Sequence, residues 1–505
     1  MIEQHLPIIP ILIPLIGAMV VLLIPQQAKG WIATTFMIAS AAVSGWLLTL
    51  TLGMETPLVF HSGGWELGGV PMGITLVADR MAAFFLFMSQ LVLVMGFIYA
   101  LGCRDKVVQY PTFYSFFLTL GTGLSGTFLT GDLFNFFVFA ELLVISGAIL
   151  TALSDDKWGV EAAYKYFYMS LIAAAFLLLA CGLLYVSYGT LNMAQLADAI
   201  AQETPITALI GCAILLAAFL IKGAGFPFHF WQPDFHTAAP TPVHAVLSSV
   251  VVKVGIYGVL RLTTLLFVEQ AALIQGVLIV SGLIGLFYGG LGAVGTYDAK
   301  RMLAYSTMGQ LGFILVGIGW GTPLGYAAAL VFAFNHSLAK AAMLMLAGTI
   351  ASRAPIKSAE FNNVTGVGSK HPMIGLLFLI GGLALAGIPP TNGFVSKLLL
   401  FESGLAGERF ITLGLIGLGS GITLVYVIRA FMTIWFKPPA DKKKIKPSGD
   451  RLIAPALLIL LVLGLGIWAQ PLIDVATATV AQSGDATNYI ASVIDLTRVV
   501  EVIDR

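Results

Sequence analysis

Along the chain, apolar windows of about 20 residues, each long enough to cross a hydrocarbon core of roughly 30 Å, alternate with short polar segments from residue 6 to residue 474. Fourteen such windows begin near residues 6, 31, 81, 111, 132, 163, 205, 241, 271, 302, 322, 372, 409 and 452. They predict an all-α, polytopic membrane protein of about 14 transmembrane helices. Two of the spans are interrupted. In "KGAGFPFHFWQPDFHTAAPTPVHA", Lys222 to Ala245, Pro227 and Pro233 follow Gly223 and Gly225 in span 7. In "LALAGIPPTNGFVSKLLLF", Gly387, Pro389, Pro390 and Gly393 interrupt span 12 beside Lys397. Proline removes a backbone donor and clashes with the preceding turn, so neither segment can run as an unbroken helix.

Irregular backbone at membrane depth is tolerated only where protein or a water-filled cavity satisfies it. Broken segments at corresponding places in two halves point to a transporter built from inverted repeats; the alternative is two independent proline kinks. Spans 7 and 12 are five apart, an odd number, so repeats over spans 4–8 and 9–13 would lie in opposite orientations. This divides the chain into three N-terminal helices (1–110), a first five-helix repeat (111–265), a second (270–435), and a cytoplasmic loop, last span and tail (436–505). Under the repeat, Glu141 of span 5 corresponds to span 10, where "AYSTMGQLGFIL" offers Gln310 but no acid.

Composition agrees with the pattern: 10% of residues are Asp, Glu, Lys or Arg, against about 25% in soluble domains. The N-terminal stretch has no basic region and no small-residue cleavage site, and reads as a retained first span. The net charge of +1 is silent, but its distribution is not. Loops after odd-numbered spans hold Lys29, Arg104, Lys106, Lys157, Lys165, Lys300, Arg301, Arg353, Lys357, Lys370, Lys437, Lys442, Lys443, Lys444, Lys446 and Arg451, with Arg429 nearby. The other side, termini included, receives Arg80, Arg261, Arg409, Arg498 and Arg505. The positive-inside rule makes the first set cytoplasmic and puts both termini outside, in a cell (inner) membrane. The loop "KPPADKKKIKPSGDR" reads as solvated rather than as a nucleic-acid patch. The acidic tail with Asp474, Asp485, Asp495, Glu501 and Asp504 reads as a surface helix or partner contact.

Six ionisable residues remain inside spans: Glu141, Lys222, Lys253, His336, Lys340 and Lys397. Each costs on the order of 3 kcal/mol or more at mid-bilayer unless it meets a partner or a hydrated cavity. The helical neighbours of Glu141 are apolar, so its partner must come from another helix. An acid alone in hydrocarbon stays neutral, whereas one facing Lys222 or Lys253 can share a charge and switch state. Ser249 and Tyr257 lie four residues either side of Lys253 and would make a polar stripe, either helix glue or a proton carrier. His336 and Lys340, at i and i+4 in "FAFNHSLAKAAMLML", would project from one face as a relay. His229 is placed for a proton exit towards the cytoplasmic side or for a helix-end hydrogen bond.

Other chemistry is quiet. Cys103, Cys181 and Cys212 are solitary, and no Cys/His ligand spacing occurs, so neither metal nor cofactor is expected. "GGLGAVG", residues 289–295, lacks the strand, Lys and Ser/Thr of a phosphate loop and reads as close helix packing. No hydrolytic constellation is present, so the chain reads as a transporter subunit rather than an enzyme.

The motifs "GDLFNFFVFAE", "KGAGFPFHFWQPDFHTAAPTPVHA", "VVKVGIYG", "DAKRMLAYSTMGQLG", "NHSLAKAAM" and "GIPPTNGFVSK" resemble the antiporter-like family. That family is shared by Mrp-type multisubunit cation/proton antiporters, membrane-bound hydrogenases and the proton-pumping membrane subunits of respiratory complex I. "GDLFNFFVFAE" and "YGTLNMAQLADAI" look most like its D-type Mrp subunits; "FPFHFWQPDFHTAAPTPVHA" is closer to the complex I and hydrogenase pattern, with His244 where the family often has Ser. The resemblance implies a hydrated polar axis through Glu141, Lys222, Lys253, His336, Lys340 and Lys397. Protons and monovalent cations are then its substrates, and Mrp-type A, B, C, E, F and G subunits its partners. The alternative is a proton-pumping subunit of a complex I-like quinone oxidoreductase or a hydrogenase; a scaffold or solute carrier without proton chemistry is the third reading. The short tail after span 14 is expected to lack a long lateral helix.

Overall fold

The computed structural model describes residues 5–67, 70–71, 73–154, 157–438 and 445–494. Lys442, Lys443 and Lys444 of the basic loop, and Asp495, Arg498, Glu501, Asp504 and Arg505 of the tail, lie outside the described residues. The chain starts with α1 (Leu6–Leu23) and α2 (Gln26–Gly53), and a two-stranded antiparallel hairpin, β1 (Leu58–His61) and β2 (Thr75–Ala78), leads into α3 (Arg80–Gly102). This hairpin is an addition to the expected all-α architecture. There follow α4 (Phe113–Leu129), α5 (Leu133–Ala152), α6 (Lys157–Tyr188), the short α7 (Met193–Gln202), α8 (Ile206–Lys222), α9 (Gln232–Ala238) and α10 (Thr241–Leu266). The second half holds α11 (Ala271–Gly295), α12 (Ala299–Gly319), α13 (Pro323–Arg353), α14 (Pro372–Ala386), α15 (Asn392–Ala406), α16 (Phe410–Trp435), α17 (Ile453–Ile467), α18 (Gln470–Ser483) and α19 (Ala486–Val493).

Helices stand at the predicted span positions. Among the described residues, ten are long and apolar enough to cross a membrane alone, or up to eleven when α17 and α18, bent by 79°, are taken together. The predicted spans 4, 7, 12 and 14 are occupied by the shorter α4, α8, α14 with α15, and α17. Polar side chains fix several starts: Asp79, Asp132, Asn192, Asp298, Thr322 and Asp485 each accept a backbone N–H of the first turn, satisfying donors that the helix itself leaves free.

Burial sorts the helices into a centre and a periphery. The most apolar windows of α10 and α13 are 100% buried, whereas those of α2 and α16 are 33% buried and turn their apolar faces outward. The two buried helices are those that carry Lys253, His336 and Lys340. Small residues bring the second half together as the "GGLGAVG" reading expects: a Cβ at Gly289 would collide with the backbone of Gly309, and one at Gly312 with the Gly282 carbonyl, so α11 and α12 touch backbone to backbone.

Both predicted interruptions are present. α8 stops at Lys222 and helix resumes at Gln232; α14 stops at Ala386, Gly387 takes φ +81°, and α15 starts at Asn392. Unforeseen are two π-helical turns in α10, Leu247–Val251 and Leu262–Leu266. After α17 the chain turns along the bundle. α18 packs on α3 and α13, with Gln482 Oε1 accepting from the Arg80 amide (2.8 Å), and α19 packs on α7.

Gly289→Leu should push α11 off α12 and cost roughly 1–3 kcal/mol or more. Gly276→Ala, in the same helix with nothing within 4 Å of the added methyl, should be neutral. Thermal unfolding of the purified protein distinguishes them.

Candidate functional site

Glu141 has apolar helical neighbours, and the structure supplies its partner from α8. Lys222 Nζ donates to Glu141 Oε1 at 3.0 Å. Lys222 is the last residue of α8, where unpaired carbonyls make a helix end favourable to a cation. The pair is asymmetric in exposure, with side chains 6% and 18% accessible. A small cavity beside the amine is lined by Lys222, Tyr166, Ser170 and Trp231 and touches α10 at Val251 and Val254, which flank Lys253 in the sequence.

Lys253 and His336 are fully enclosed, and their Nζ and Nδ1 atoms are 2.7 Å apart. Two cations cannot share that contact in a site without counter-charge, so at most one of the two groups is charged at a time. His336 Nε2 has no partner among the described residues. His336 lines a second cavity together with Gln310, Asn335, Ser396 and Lys397. Lys397 Nζ donates to the Ala386 carbonyl at 2.8 Å, the group that the break between α14 and α15 leaves free, and sits 4.8 Å above the Phe313 ring. Lys340 Nζ binds Ser306 Oγ (2.7 Å) and the Leu303 carbonyl (3.1 Å), and Ser306 continues to Tyr426 at 2.7 Å.

His336 and Lys340 share a helix face, and each meets a different neighbour: the imidazole turns to Lys253 on α10 and the amine to α12. One sequence expectation is revised: the proposed stripe Ser249–Lys253–Tyr257 is not continuous. The π-helical turn at Leu247–Val251 winds more than 3.6 residues per turn and rotates Ser249 out of register, and its hydroxyl is buried without a partner among the described residues. Tyr257 donates to the Phe128 carbonyl (2.6 Å) and accepts from Arg261 (2.9 and 3.0 Å). Gln310 Nε2 sits 3.4 Å from Thr423 Oγ1 and 3.5 Å from the Leu385 carbonyl, and lines the same cavity as Lys397.

Three histidines, His229, His236 and His244, belong to the broken segment. His229 packs edge-on to Tyr288 with ring centroids 4.2 Å apart. His244 and His236 are buried with centroids 5.6 Å apart, and none of their four ring nitrogens has a partner among the described residues. His236 was not among the predicted residues; the signal was its place in the same proline-broken stretch. Asn335, next to His336 in the sequence, donates to the Asn392 carbonyl (3.0 Å) and Ser396 Oγ (2.9 Å) while its Oδ1 accepts from Asn392 Nδ2 (3.1 Å), a role its sequence position does not reveal. This amide clamp locks the break of span 12 to α13. Arg261, assigned by sequence to a solvent-facing end, is instead buried in a bidentate pair with Asp79, both distances 2.6 Å.

Residues 130–423 match a family described as "NADH:quinone oxidoreductase/Mrp antiporter, TM". The chain is 30% identical to the D-type subunit of the Na(+)/H(+) antiporter of Alkalihalophilus pseudofirmus, over 97% of this chain and 99% of that protein. Among solved structures it is similar to a chain of the membrane-bound sulfane sulfur reductase, an archaeal respiratory membrane complex, with TM-score 0.89, 28% identity and coverage of 97% and 100%. It is likewise similar to a chain of the Mrp complex from Dietzia sp. DQ12-45-1b, with TM-score 0.85, 26% identity and coverage of 98% and 99%.

Asn335→Ala would strand polar groups of Asn392 and Ser396 in the core. It should lower stability by roughly 1–3 kcal/mol, measured as a lower unfolding temperature, whereas Asn362→Ala, at an exposed position of the short helix Phe361–Val364, should not.

Proposed function

We propose, from the premise that this chain belongs to the NADH:quinone oxidoreductase/Mrp antiporter membrane family, that it is the proton-translocating subunit of a multisubunit Na⁺/H⁺ antiporter. The observation that carries this reading is the buried line of proton-exchanging groups from Glu141–Lys222 through Lys253–His336 to Lys397. Helix breaks and hydrogen bonds to backbone oxygens make that line tolerable inside the membrane. The relative from Alkalihalophilus pseudofirmus and the Dietzia Mrp complex support the antiport assignment and other membrane subunits of one complex as partners.

In this mechanism charged Glu141 holds Lys222 protonated. When the carboxylate is neutralised or drawn away, the amine loses its counter-charge and releases its proton along the cavity towards Lys253. Lys253 passes it to His336 because the two cannot both be charged. From His336 it reaches Lys397, whose ammonium is stabilised by the Ala386 carbonyl and the Phe313 face. His229, His236 and His244 exchange protons with the cytoplasmic side, and Lys340 with Ser306 holds a branch towards Tyr426. Both termini lie outside, as the basic loops indicate, and residues 111–265 and 270–435 act as inverted units.

A second reading, a pump subunit of a redox complex, is favoured by the similarity to the archaeal respiratory complex chain and needs the same residues. Co-purification separates the two: iron-sulfur or other redox subunits favour the pump, and small cofactor-free membrane subunits the antiporter.

Glu141→Gln and Lys222→Met should each abolish Na⁺-driven proton movement in inverted vesicles, while the assembled complex is recovered in normal amount. Lys253→Met should slow it roughly 100-fold or more, the usual scale for losing a proton-transfer group. Full antiport in these variants would reject the assignment and favour a scaffold.

A further inference from the structure

The line of proton-exchanging groups has a potential leak. Lys253, Tyr257 and Arg261 follow at four-residue intervals on the α-helical part of α10, so one face runs from the Lys253–His336 pair to Arg261 over about 12 Å at 1.5 Å per residue. Beyond Arg261 lies a small cleft lined by Pro57, Thr264, Gln482, Asp485 and Tyr489, on the face that carries α18 and α19. A hydroxyl between an amine and a cleft is an obvious stepping stone for a proton. We infer that the Asp79–Arg261 pair is a proton seal, which closes this route and confines protons to the path between Lys222 and Lys397. The inference deepens the proposed antiport reading and rests on it.

Three features of the geometry support a seal. Arg261 is enclosed, 4% exposed, and its guanidinium keeps its charge at any working pH, so it cannot accept and pass on a proton. Its Nε and Nη2 both donate to Tyr257 (3.0 and 2.9 Å), while Tyr257 spends its own proton on the Phe128 carbonyl (2.6 Å). A hydroxyl whose lone pairs are held by a permanent cation and whose proton is tied to a carbonyl cannot relay. The carboxylate of Asp79 lies on the other side of the guanidinium and is anchored by the Ala82 amide at 2.8 Å. Asp79 thus holds the cation in place, and Arg261 presents positive charge towards Lys253, which repels an approaching proton as an arginine does in a water-selective pore. Tyr489 of α19 covers the outer side, with its ring 5.4 Å from the guanidinium carbon.

The test is passive proton leak. The purified complex is reconstituted in liposomes with a trapped pH-sensitive dye, a pH step is imposed in buffer free of Na⁺ and other alkali cations on both sides, so that exchange cannot run, and the decay is compared with protein-free liposomes. Wild type is expected to be as tight as protein-free liposomes, and Arg261→Gln to leak roughly tenfold faster, equivalent to about 1.4 kcal/mol of barrier. Adding Tyr257→Phe to Arg261→Gln should restore tightness, which would not happen if the variant had merely loosened the bundle. If Arg261→Gln fails to assemble because the Asp79 charge is stranded, Asp79→Asn/Arg261→Gln removes that charge and is read in the same way. An assembled variant that stays tight overturns the seal, and so does a leak that Tyr257→Phe leaves open. Because no Na⁺ is needed for the readout, failed antiport in the wild type counts against the proposed exchange alone.

Discussion

An ammonium inside an apolar bundle must find an oxygen or nitrogen lone pair within hydrogen-bond reach, because no bulk water is there to supply one. The arrangement of this protein follows from meeting that demand four times, at Lys222, Lys253, Lys340 and Lys397, with one carboxylate. Lys222 receives Glu141; Lys253 receives an imidazole; Lys340 and Lys397 receive backbone carbonyls, supplemented by Ser306 and the Phe313 ring respectively. Only the first of these is a full charge pair. The others are held by neutral acceptors alone.

The helix breaks serve that demand. An intact helix keeps its carbonyls for itself, whereas the stop at Ala386 frees one for Lys397, and the stop at Lys222 puts the amine at a helix terminus. The broken strands of backbone then need fixing in turn. Asn335 does this for span 12, bonding Asn392 and Ser396 across from α13. The two breaks match in position and differ in charge: the first is paired with an acid on α5, while Gln310 of α12 stands near the second.

Packing supplies the enclosure that makes these contacts decisive. α10 and α13 are surrounded on all sides, and glycines let α11 and α12 approach to backbone contact. The same enclosure raises the cost of any stray polar group, which explains why Arg261 and Asp79 are locked in a two-pronged ion pair with Tyr257 rather than left at a wet helix end.

The amino-acid sequence determined where helices stand, both interruptions and the six ionisable residues inside them, though not how many helices are long enough to span alone, because hydrophobic patterning, proline chemistry and the cost of buried charge are local properties readable in one dimension. It also gave glycine packing at 289–295 its correct meaning. What pairs with what was decided only by the tertiary structure. A spacing of four put His336 and Lys340 on one face, yet which neighbouring helix each would meet depends on how α10 and α12 flank α13. The four-residue rule failed at Ser249 because a π-helical turn changes the angular step. Arg261 was misplaced for a similar reason: an arginine near a span end is ordinarily solvated, and only the folding of Asp79, 182 positions earlier in the chain, against the same helix end makes it buried.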